Sequence, residues 1–163
     1  MNITFTKLTN PAPEIAATLN RWANDPSLIK FIRPSRNKEE LEKYVPVTVE
    51  SLMERLEHVS TYLIHADGHL VGEINFQIDP DHLIKKETGT AWIGIVIGEE
   101  SARGKGIGTQ AMLYLEEKIQ PNKIGISYYI IYSLVSACRY FSMRISCHIL
   151  PFQKVKPSTR PIS

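Results

Sequence analysis

Residues 92–109 narrow the possible folds more than any other stretch of this 163-residue chain. Trp92-Ile93-Gly94-Ile95-Val96-Ile97 is a nearly continuous apolar run, the pattern of a strand covered on both faces. It passes through Gly98-Glu99-Glu100-Ser101-Ala102 into Arg103-Gly104-Lys105-Gly106-Ile107-Gly108-Thr109, and Gln110 to Lys118 then reads as a helix. Three alternating glycines free a run of backbone N–H groups to point at one place, and the helix that starts there adds its positive end; both favour a phosphate or pyrophosphate. Arg103 and Lys105 add fixed charge, more than a tight strand-to-helix connection requires. A Walker A loop is excluded because no Gly-Lys-Ser/Thr occurs, and the dinucleotide fingerprint asks for glycine where Thr109 stands.

The elements around this junction set the fold class. Ile3 to Leu8 alternates as a first strand and ends at Asn10-Pro11. Ile15, Ala16, Leu19, Trp22 and Ala23 recur at helical spacing up to Asn24-Asp25-Pro26. Residues 27–37, with Pro34, read as a loop, and Lys38 to Glu57 as a second helical region interrupted at Pro46. Thr61 to Ala66, the turn Asp67-Gly68 and His69 to Ile78 predict a tight hairpin, with Ile74, Phe76 and Ile78 on one face, Glu73, Asn75 and Gln77 on the other, and His65 and His69 exposed beside the turn. Strand, two helices, three strands and a helix favour a mixed sheet flanked by helices over an all-α or all-β fold.

Composition, 43% hydrophobic and 22% charged, is that of one soluble globular domain over residues 1–163, and a net charge of +2 gives no reason to expect nucleic acid. That total conceals a break. Residues 1–120 hold 13 Lys/Arg and all 17 Asp/Glu, whereas residues 121–163 hold 6 Lys/Arg and no acid. A stretch of this length without an acid would arise by chance roughly once in several hundred draws. The apolar run Ile124 to Val135 is too short for a membrane span and reads as a buried strand or pair of strands. Cys138 and Cys147 form neither a disulfide framework nor a zinc pattern, no signal peptide precedes Ile3, and a reducing cytoplasm is the expected compartment.

Arg103-x-x-Gly106-x-Gly108 after a long apolar strand resembles the acyl-CoA pyrophosphate loop of the GNAT N-acetyltransferase superfamily. Arg21-Trp22-Ala23-Asn24-Asp25-Pro26 and Val71-Gly72-Glu73-Ile74 are similar to the branch that includes ribosomal-protein alanine and aminoglycoside acetyltransferases; the likeness covers about residues 3–120. It implies an α+β fold with a central mixed, mostly antiparallel sheet flanked by helices, incomplete or rearranged at the C-terminus. It also implies acetyl-CoA as cofactor, its pantetheine arm along the backbone of Ile95, Val96 and Ile97 and its pyrophosphate on Arg103, Gly104, Lys105, Gly106, Ile107, Gly108 and Thr109. A primary amine of a small molecule or a peptide N-terminus is then the acceptor, attacking the thioester directly.

Glu73 is the candidate base, directly or through water, against the competing reading of a solvated strand carboxylate. Trp22, Phe31 and Trp92 either line the amine pocket or pack in the core, and Glu99 and Glu100 complement the following helix start; no metal is implied. The superfamily's helix with Asn-x-x-Ala-x-x-x-Tyr and its Gly-Phe are not intact after Gln120; Ser136-Ala137-Cys138-Arg139-Tyr140 comes nearest, which makes Tyr140 the candidate acid. With the missing acids, this points to an altered reading frame or a replaced C-terminus. The consequences are a second reading, an acyl-CoA-binding protein with weak or no transfer, and a homodimer whose C-terminal segments are open to exchange.

Overall fold

The hairpin forms where Asp67 and Gly68 take φ of 50° and 82°, the pair of positive values that matches the twist of its strands. The computed structural model describes residues 1–32, 38–80, 91–119 and 128–131. Along them run β1 (Ile3–Lys7), α1 (Pro13–Ala23), α2 (Pro26–Ile32), α3 (Lys38–Glu42), α4 (Val49–His58), β2 (Ser60–Ala66), β3 (His69–Ile78), β4 (Ala91–Ile97), a short 3-10 turn (Glu100–Ala102), α5 (Ile107–Ile119) and β5 (Tyr128–Ile131). The sheet order is β1-β2-β3-β4-β5, antiparallel throughout except for the parallel β4–β5 pair. The mixed, mostly antiparallel sheet implied by the resemblance is thus present, and β5 lies inside the run Ile124 to Val135 read as strand.

Helices cover both faces of the sheet. On one, Ile64, Ile74, Ile93, Ile95 and Ile97 pack against Ile107, Ala111, Met112, Leu115 and Ile119 of α5, a helical stripe at spacings of four, one, three and four. On the other, Ala16, Leu19 and Trp22 of α1 meet Leu28 of α2 and Leu52 of α4. A β-bulge between Ile64/His65 and the facing residues of β3 shifts the register, so that Leu70 joins the second cluster while its neighbour Val71 joins the first.

Three local readings change. Pro26 opens α2 instead of a loop: proline is well suited to a first helical turn, and the Asp25 carboxylate accepts the Ser27 N–H at 2.8 Å. The helical region Lys38 to Glu57 is two helices, with a non-helical strap over residues 43–48 and a new start at Thr48, whose hydroxyl accepts the Ser51 N–H at 3.2 Å while the Ser51 hydroxyl accepts the Thr48 N–H at 2.9 Å. Finally, β4 is not covered on both faces. Ile93, Ile95 and Ile97 are buried, but Trp92, Gly94 and Val96 are half-buried, because their face opens onto a cleft.

Candidate active site

The cleft, about 240 Å³, lies between that face of β4 and the helices of the second cluster. Leu19, Trp22 and Ala23 of α1, Ile32 of α2, Val47 of the strap and Arg55 of α4 form one wall; Glu73 and Asn75 of β3 with Trp92, Gly94, Ile95 and Val96 of β4 form the other. Asn20 and Asn24, one helical turn apart, fix the strap: Asn20 Oδ1 accepts the Val47 N–H at 2.9 Å, Asn24 Oδ1 accepts the Val45 N–H at 3.0 Å, and Asn24 Nδ2 donates to the Val45 carbonyl at 2.9 Å.

Glu73 faces the cleft, as the strand alternation requires, and it is not simply solvated. Its residue is 8% exposed, and both carboxylate oxygens accept from the Arg55 guanidinium, at 3.2 and 2.8 Å. Such a two-point bond fixes the carboxylate while leaving further lone pairs on each oxygen. Arg55 Nε is buried with no acceptor among the described residues. The sequence reading passed over Arg55; the available signal was a charge placed between Leu52 and Leu56 on the apolar side of α4.

Beyond Gly94, β4 has no further strand partner on the side away from β3 among the described residues. β5 pairs only with Ala91–Gly94. The Gly98 N–H donates to the Val71 carbonyl at 2.9 Å, which sets the phase of the antiparallel ladder: the backbone groups of Gly94 and Val96 turn to β3 and those of Ile95 and Ile97 to the opposite edge. Among the described residues the Ile95 carbonyl and the Ile97 N–H are thus left for an extended ligand arm, whereas Val96 turns its backbone to β3 and gives the cleft its side chain; this corrects the backbone role expected of Val96.

The glycine loop follows. Gly104 and Gly106 have φ of 73° and 77°, and a Cβ on either would stand in open space, so what their lack of a side chain serves is the turn of the backbone. From Gly104 to Thr109 no backbone N–H donates to a described residue; the first intrahelical bond is Gln110 N–H to the Gly106 carbonyl at 3.2 Å. Six successive amides at a helix start, with Lys105 exposed among them, suit a pyrophosphate. The Arg103 guanidinium is turned away from them: Nε donates to the Ile97 carbonyl at 3.0 Å, Nη2 to the Gly98 carbonyl at 2.7 Å, and Asp25 lies 3.7 Å off. Its side chain secures the strand end rather than a phosphate.

Glu99 also departs from expectation. Instead of serving the helix start, it accepts from Arg21 Nη2 at 2.5 Å and Trp22 Nε1 at 3.1 Å, and the Arg21 bond foremost holds its carboxyl below the ordinary value of 4.5. Of the three aromatics, Trp22 and Trp92 line the cleft; Phe31 does not, being 41% exposed beneath Lys30 Nζ. Tyr140 lies outside the described residues. Among the described residues no group of three His, Cys, Asp or Glu is placed to hold a metal, and no helix is long and apolar enough to cross a membrane.

The family model described as acetyltransferase (GNAT) matches residues 19–143, more than three quarters of the chain and on past Gln120. The chain belongs to the GNAT acetyltransferase family. As a GNAT protein it is by class an N-acetyltransferase. No curated relative matches it. Among solved structures it resembles an aminoglycoside acetyltransferase in complex with coenzyme A (22% identity, TM-score 0.60, covering 86% of this chain and 82% of that one) and the same enzyme type with coenzyme A and kanamycin (20%, 0.56, 86% and 80%). It also resembles an N-acetyltransferase from Thermoplasma acidophilum in complex with coenzyme A (19%, 0.54, 88% and 86%). At these identities the likeness concerns the GNAT fold.

Proposed function

We propose that this GNAT protein transfers the acetyl group of acetyl-CoA to a primary amine of a small molecule. The observation that carries the proposal is the continuity of three features along β4 and the loop after it: the cleft along the Trp92, Gly94 and Val96 side, the edge beyond Gly94 that no described strand covers, and the amides from Gly104 to Thr109 that bond to no described residue. The edge is of the kind that accepts an extended amide-bearing arm, and the amides are of the kind that accept a pyrophosphate. When bound, acetyl-CoA supplies the thioester that the amine attacks.

The chain's own residues then orient and deprotonate the amine. Glu73, held by Arg55, takes a proton from the acceptor's ammonium directly or through water, and Trp22 and Trp92 set the acceptor's position against the wall of the cleft. Tyr140 is the candidate proton donor to the leaving thiolate, and a peptide N-terminus is the second acceptor class.

Calorimetric titration with acetyl-CoA, repeated on Gly106→Asp, tests the cofactor site: binding in the micromolar range that the variant loses supports it, and no binding by the unaltered chain overturns it. Glu73→Gln should lower kcat/KM about a hundredfold while acetyl-CoA affinity stays within about twofold. Binding without transfer to any amine of a broad panel would instead favour the acyl-CoA-binding reading. A homodimer remains the proposed assembly, and a light-scattering mass of one chain at micromolar concentration counts against it.

A further inference from the structure

The cleft's charge and apolar lining restrict the acceptor, given the acetyltransferase reading above. Its described lining carries one cation and one anion, Arg55 and Glu73, and these are bonded to each other. The undescribed segments bring no negative balance either. Residues 33–37 contain Arg33 and Arg36 and no acid, residues 81–90 balance Asp81 and Glu87 with Lys85 and Lys86, and residues 120–127 and 132–163 contain no acid. A polycation would have to leave water for a site with no net negative charge, at a cost that unpaired ammonium groups do not recover. The rest of the lining is largely apolar, with Leu19, Trp22, Val47, Trp92 and Val96.

We infer that the acceptor is a small primary monoamine on an apolar or aromatic body, its single ammonium beside Glu73 and its body between Trp22 and Trp92, and not a polycationic aminosugar or polyamine.

The chain's two tryptophans, Trp22 and Trp92, both line the cleft, so their emission reports its occupancy. The full-length protein is titrated with phenethylamine, spermidine and kanamycin. A saturable change at a phenethylamine concentration at least tenfold below that for the other two is the expected result; equal or tighter binding of kanamycin or spermidine, or no response to phenethylamine, overturns the inference. Asn75→Asp, nearly isosteric and also in the cleft, adds a second anion and should narrow the gap for spermidine at least threefold; an unchanged gap counts against charge as the basis of selection. Acetyl-CoA binding on the same preparation is measured separately, so that failure of the cofactor reading is told apart from failure of this one.

Discussion

Gly98 and Glu99 carry more of the architecture than their place in a loop suggested. A Cβ on Gly98 would overlap the indole of Trp22, so the β4 terminus meets α1 only because residue 98 has no side chain. Gly98→Ala should cost about 1–3 kcal/mol in denaturant unfolding, the usual penalty for crowding a packed site. Glu99 joins the same contact through Trp22 and Arg21. Because its folded-state carboxyl lies below the ordinary value of 4.5, its contribution is present above that pH and is lost as pH falls through the lower folded value. Stability measured from pH 6 to 3 should therefore decline less steeply in Glu99→Gln than in the unaltered chain. The stretch Arg21 to Asp25 was legible as a family likeness, but its physical work was not. Arg21 and Trp22 hold Glu99, Asn24 holds the strap and Asp25 faces Arg103, and every one of these partners is distant in sequence or set by the turn of a helix.

At the level of elements, the parts that one period or one turn dictates were readable from the chain. The Asp67-Gly68 hairpin, the alternation that puts Glu73 and Asn75 on the cleft face, and the α5 stripe all follow local rules. Elements governed by capping were not. The apolar positions from Leu41 to Leu56 suit one helix, whereas Thr48 and Ser51 begin a second and Asn20 and Asn24 hold the strap between them. Thr48→Ala should cost about 1 kcal/mol, or roughly 2–4 °C in thermal melting for a chain of this size. Asn20→Ala frees the Val47 wall and should raise the acceptor KM severalfold with little change in the affinity for acetyl-CoA. The half-open state of β4 escaped the sequence because the apolar run looks alike on both sides.

Across the whole molecule, the sheet, the cleft and the glycine loop share a single continuous strand. Its first part is sheet, its middle is a wall and its end is an edge, with Arg103 clamping the turn that follows. Ligand binding to such an edge should stabilise the fold by mass action, so acetyl-CoA at a hundredfold above its Kd should add about 2.7 kcal/mol to unfolding stability, read as a rise in melting temperature. The outer edge of β4 beyond Gly94, which no described strand covers, has one more consequence. A peptide amide without an acceptor trades its proton with water quickly, and the Ile97 N–H, which turns toward that edge, has none among the described residues. In heavy water this position acts as a built-in occupancy gauge: deuterium should enter it early in the free protein and late once an arm lies alongside, while Ile93, farther down the same strand and paired with β5, keeps one pace in both states.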